Sequence, residues 1–145
     1  VKTKPASQRL GVSIVSLLFA AAPFASGDEL HSPAAGSPER KAILDVLHAE
    51  YTTGSGSKVK FLVKHLKVHN GWAWINVVPL DPSGKPEGEE WPSLLQLKGS
   101  EWQIIDLVAI AAAIDDPVGP AEPSAKFIRA LQKKYPGVPR DIIPN

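Results

Sequence analysis

The sequence predicts an α+β domain: an N-terminal helix packed on a curved four-stranded antiparallel sheet of two hairpins, then a short C-terminal helix and an extended tail. Three observations carry this. Ile43, Leu44, Leu47 and Tyr51 recur at helical spacing behind the start signal Ser37-Pro38-Glu39. Two β-prone runs meet at Asn70-Gly71, the preferred pair for a type I′ turn because both central residues need positive φ. A second pair of runs meets at Gly99-Ser100, a plausible type II′ turn.

Residues 1–27 read as a secretory signal peptide. Lys2, Lys4 and Arg9 give a positive start, Leu10 to Ala22 an apolar stretch, and Ala25-Ser26-Gly27 the small residues of a cleavage site. The apolar stretch falls short of the roughly 20 residues of a membrane span. Export to the periplasm or beyond is therefore expected, with no transmembrane anchor after cleavage near Asp28. Residues 28–36 are polar, broken by Pro33 and Gly36, and read as a flexible leader. Residues 37–145 form one domain.

Within that domain, Ser37 supplies a capping hydroxyl, Pro38 suits the first helical position, and Glu39 meets the positive end of the helix dipole. The helix is expected over 38–51, with the Thr52–Ser57 segment as a loop. In the first strand Val59, Phe61 and Val63 alternate on odd positions while Leu66 and Val68 continue on even ones, a phase change that predicts a β-bulge near Lys64-His65. The Asn70-Gly71 turn sets His69 against Trp72, Lys67 against Trp74, Leu66 against Ile75 and His65 against Asn76. One face of the hairpin is then Leu66, Val68, Ala73, Ile75 and Val77. The other carries His65, Lys67, His69, Trp72, Trp74 and Asn76.

Pro79 and Asp81-Pro82-Ser83-Gly84 stop the second strand, and the acidic 85–90 segment is a loop. The second hairpin spans Trp91 to Lys98 and Trp102 to Val108, with Leu97 opposite Trp102 and Leu95 opposite Ile104. The alanine-rich end of the run from Ile104 to Ile114 is a candidate to leave the sheet. Asp115 to Pro123 is a connector. Ser124 can start a second helix with Phe127, Ile128, Leu131 and Tyr135 as its buried stripe, and Pro136-Gly137 ends it. One helix across one sheet face makes two layers the economical arrangement.

The element order over 37–114, a long helix followed by a curved antiparallel sheet, resembles the cystatin-like and nuclear transport factor 2-like architectures. The Ser37-Pro38-Glu39-Arg40-Lys41-Ala42-Ile43-Leu44 start, the Gly71-Trp72-Ala73-Trp74 strand and the Gly99-Ser100-Glu101-Trp102-Gln103-Ile104-Ile105-Asp106 strand look like a group of uncharacterised bacterial exported proteins. That resemblance implies a fold and brings no activity with it. The nuclear transport factor 2-like alternative implies a cavity-bearing enzyme or ligand carrier.

Composition narrows the function classes. The leader removes three of 16 basic residues and none of the 15 acidic ones, so thirteen against fifteen leaves a formal charge of −2. A nucleic-acid partner, which favours a basic stripe, is not expected. With no cysteine in the chain, disulfides, thiolate metal sites and cysteine nucleophiles are unavailable to it. Metal binding by His65 and His69 is disfavoured, because residues four apart on a strand are separated by about 13 Å. No nucleophile elbow, phosphate-cradling loop or dinucleotide fingerprint occurs, and no cofactor is expected. The acid–base pair that can be constructed is Asp106 with His65, provided both share a cavity face. The aromatic-basic face of Trp72, Trp74, His65, Lys67, His69 and Asn76 suits contacts with a protein, a small molecule or a glycan. Its alternatives are cover by the second helix, by the tail, or by a second copy in a homodimer. The leading expectation is a non-enzymatic binding or interaction module.

Overall fold

A computed structural model describes residues 28–55 and 59–145, so the signal peptide expected over 1–27 lies outside the described residues. The first helix, α1, runs Pro38–Ser55, one turn beyond the expected end. Ser37 Oγ accepts from the Arg40 N–H at 3.2 Å, the predicted N-cap. Four strands follow: β1 (Lys60–His69), β2 (Trp72–Leu80), β3 (Trp91–Lys98) and β4 (Glu101–Ile105), in the spatial order β1-β2-β3-β4. All neighbouring pairs are antiparallel.

The first hairpin has the register that its turn dictates. Asn70 and Gly71 take φ of 50° and 74°, and His69, Lys67 and His65 face Trp72, Trp74 and Asn76. The pairing slips between Val63 and His65, the expected bulge. That slip brings Phe61 and Val63 to the same side as Leu66 and Val68, all packed with α1. Gly99 has φ of 64°, and Leu97 and Leu95 face Trp102 and Ile104.

The second hairpin ends sooner than expected. β4 stops at Ile105, and Leu107–Ala113 forms helix α2 instead of continuing the strand. Asp106 is the reason: its Oδ1 accepts from the Ala109 N–H at 2.9 Å, so its side chain starts a helix. Helix α3 (Ala125–Lys134) begins at Ser124, whose Oγ accepts from the Phe127 N–H at 3.0 Å. The tail contains a 3₁₀ turn, Arg140–Ile142. In the connector, Asp116 Oδ1 accepts from the Val118 and Gly119 N–H groups and Oδ2 from Ser124 Oγ.

The fold has three layers where two were expected. Ile43 and Leu47 of α1 pack with Leu66, Val68, Ala73, Ile75, Val77, Leu95 and Trp102 on one sheet face. On the other, Trp72, Trp74, Leu94 and Ile105 lie beneath α2, α3 and the tail, with Phe127, Leu131, Val138, Ile142 and Ile143 buried against them. A second antiparallel sheet face rich in tryptophan has to be covered, and the last third of the chain covers it.

Residues 28–36, expected to be flexible, are docked. The His31 N–H donates to the Val68 carbonyl at 2.9 Å and the Val68 N–H returns the bond at 2.8 Å, bridging the outer edge of β1 at that residue. His31 Nε2 meets Glu39 Oε2 at 2.7 Å, and Arg40 Nη1 donates to the Pro33 carbonyl. Isolated Pro and Gly suggested a loose segment, but two backbone bonds and the His31–Glu39 hydrogen bond tie it down.

Candidate functional site

The aromatic-basic face is not a surface. Trp74 is 0 % exposed and Trp72 6 %. The indole N–H of Trp74 donates to Asn76 Oδ1 at 2.7 Å, and Asn76 Nδ2 donates to Glu90 Oε1 at 2.5 Å. The Trp74 indole and the Asn76 side chain are thereby each given a partner, as burial requires. Trp72 meets the edge of Tyr135, ring centroids 5.8 Å apart. Its indole also lies under Gly137, where an added Cβ would come within 3.3 Å of Nε1. His65 Nε2 donates to the Ile142 carbonyl at 2.8 Å, and His69 Nδ1 meets Asp141 Oδ1 at 2.9 Å. Lys67 is half-buried at the rim. The chemistry that suggested an outside ligand is spent on the chain's own last residues.

Asp106 and His65 are not brought together. Asp106 is exposed and caps α2 beyond β4, while His65 lies on β1, three strand spacings away, on the order of 14 Å. Among the described residues, no group of three or more His, Cys, Asp or Glu side chains could hold a metal ion, and no helix is long and apolar enough to cross a membrane.

A different surface remains open. On β3, Trp91, Ser93 and Leu95 share the α1 side, as does Ile104 opposite Leu95 on β4. α1 covers Leu95 but leaves the start of β3 and the end of β4 accessible, so Trp91 is 42 %, Ile104 37 % and Val108 72 % exposed. These residues line a cleft of about 510 Å³, walled by Leu47, Glu50 and Tyr51 on one side and by Val108 and Pro120 on the other. That volume falls in the range of ligand sites, roughly 300–1,000 Å³. A second depression continues it over Asp106 and Leu107.

Aromatic stacking sets the cleft's wall. The Tyr51 ring lies on Trp91 with centroids 3.7 Å apart and planes 20° apart. Phe61 abuts Tyr51 edge-on at 4.9 Å and stacks on His48 at 4.8 Å. Burial pushes the Tyr51 hydroxyl well above its ordinary range, so it stays a neutral donor. The rings thus form a rigid platform at the end of α1. Sequence reasoning missed this site because it read Trp91 only as the start of a strand. The available signal was parity: Trp91 and polar Ser93 fall on the helix side, where a fully covered strand would carry aliphatic residues.

Fold and cleft together define a small α+β domain, a four-stranded antiparallel meander covered on both faces, with an apolar cleft at the sheet corner. No protein-family model, curated protein or solved structure matches this chain.

Proposed function

We propose that this chain is an exported, periplasmic, non-enzymatic interaction module that engages a partner protein through the cleft between Tyr51, Trp91, Ile104 and Val108. One observation carries the reading: the large apolar side chains left accessible at this corner are contiguous and stacked into a fixed platform, whereas the other tryptophans are buried. Preordered aromatic surface binds with little entropy to lose, which is why such residues anchor interfaces. The leader composition of residues 1–27 supports export.

The test is selection of a random peptide library on the immobilised protein, with the Trp91→Ala, Val108→Asp double variant as counter-target. Ligands that bind the natural chain and lose at least about tenfold on the variant are expected, the loss of one good anchor. A library that yields no ligand, or ligands that bind both proteins equally, overturns the reading.

A further inference from the structure

Helix α2 is out of keeping with its position at the surface. Leu107, Ile110 and Ala111 are its buried side, while Val108, Ala109, Ala112 and Ala113 are exposed, so its outer face carries no polar side chain. A surface helix ordinarily places polar residues there. At Val108 one flank of α2 borders the cleft; the other flank borders a groove against α3.

That groove has a volume of about 360 Å³. Ile110, Ala113, Ile114 and Ala130 make its apolar floor, Lys133 and Lys134 make its rim, and no acidic residue lines it. Lys126 Nζ donates to the Ile114 carbonyl, a bond that holds the two helices together at one end. α3 carries Lys126, Arg129, Lys133 and Lys134 and no acidic residue, although acidic side chains outnumber basic ones over residues 28–145. Among the described residues no carboxylate pairs with Lys133 or Lys134. Lys134 leans toward the Tyr135 ring, 5.7 Å from its centroid, and keeps its charge in doing so. Lysines in a last turn also suit the negative end of the helix dipole. That accounts for the cations and leaves the bare apolar floor beside them unexplained.

We propose that the groove between α2 and α3 takes an acidic amphipathic helix of a partner protein. Its apolar stripe lies on the uncharged face of α2 and the groove floor, and its carboxylates meet Lys133 and Lys134. This is helix-in-groove recognition with the charge supplied from one rim. Alanine at the contact lets a helix axis approach closely. Two other occupants fit less well. Helices that enter a bilayer surface do so with Trp, Phe or Leu, and the outer face of α2 offers alanine and one valine. A second copy laid two-fold on the same groove would set lysine against lysine. The groove and the cleft lie on opposite flanks of α2, so this docking is independent of the cleft reading.

The probe is an end-blocked, stapled three-turn helix with leucine along one face and glutamate on both sides of it, titrated against the isotope-labelled full chain by NMR. Amide shifts are expected at residues 109–114 and 130–134. A counterpart with lysine for glutamate should bind about tenfold more weakly, and the exposed double variant Lys133→Glu, Lys134→Glu should invert that preference. Ala113→Gln, which fills the groove from an exposed position, should weaken the acidic peptide on the same scale. Equal binding of the two peptides, a preference that the double variant leaves in place, or shifts confined to the cleft around Trp91 and Ile104 each overturn the proposal. Phosphatidylglycerol vesicles that shift the groove amides when the acidic peptide does not overturn it in favour of a lipid surface. Groove shifts that grow with protein concentration alone overturn it in favour of a second copy. The cleft reading, tested through Trp91, stands or falls separately.

Discussion

His65 Nε2 donates to the carbonyl of Ile142 at 2.8 Å, a bond from the first strand to the last turn of the chain. Beside it, His69 reaches Asp141. The two histidines sit on one strand face, and they act as the attachment points of the C-terminal layer.

Removing that attachment has a graded effect. His65→Ala leaves the Ile142 carbonyl without its donor and should cost about 1 kcal/mol, the net value of one hydrogen bond, with more if that carbonyl stays dry. Faster amide exchange at Ile142 and Ile143, with β2 amides still protected, is the expected pattern. Uniformly faster exchange across the sheet would mean that the tail is no separable unit.

Protonation governs the other end of the domain. Hydrogen bonding to the Glu29 carbonyl and to Glu39 holds the His31 imidazole pKa above its ordinary value, against the opposing effect of burial. A pKa raised in the folded state gives stabilisation that is complete below the unfolded value, about 6.5, and is lost as pH rises through the folded value. The docked 28–36 segment should therefore become more accessible to protease between mildly acidic and alkaline pH. A flat pH profile in the natural chain, or an unchanged slope in His31→Gln, would count against this.

Gly119 is required by space as well as by backbone. Its φ is +45°, and an added Cβ would lie 2.8 Å from Ala111 Cβ. Gly119→Ala should lower stability by about 1–3 kcal/mol, measured by urea unfolding, since a left-handed residue and a contact with α2 are strained together.

The tryptophans divide by role. Trp74→Phe leaves Asn76 Oδ1 buried without its indole donor and should cost about 1–3 kcal/mol. Trp91→Ala, at a half-exposed position, should cost clearly less while removing the solvent-exposed component of the fluorescence emission. Equal losses in the two variants would contradict the burial pattern.

The sequence made the turn and register of both hairpins legible to the residue, though not the end of β4. Asn70-Gly71 and Gly99-Ser100 are local turn chemistry, and a period of two then propagates register without tertiary information; the bulge at Val63/His65 followed from the same parity. Helix α2 was harder, because the run from Leu107 to Ala113 is apolar throughout and carries no phase. The deciding feature is a single side-chain bond from Asp106. The fate of Trp72 and Trp74 was not legible. A face of tryptophan, histidine and lysine has the composition of a binding surface, and only residues some seventy positions later determine that it is an interior. The cleft was hidden for the converse reason: Tyr51 and Trp91 each look like ordinary core residues until the angle of α1 leaves their corner bare.

The latch between His65 and Ile142 also sets a clock. The tryptophan side of the sheet closes only when residues 77 positions apart in the sequence meet, and contacts of such long sequence separation form slowly. The half of the core beneath α1 needs no such contact, so the tryptophan half is the part of the domain expected to form last.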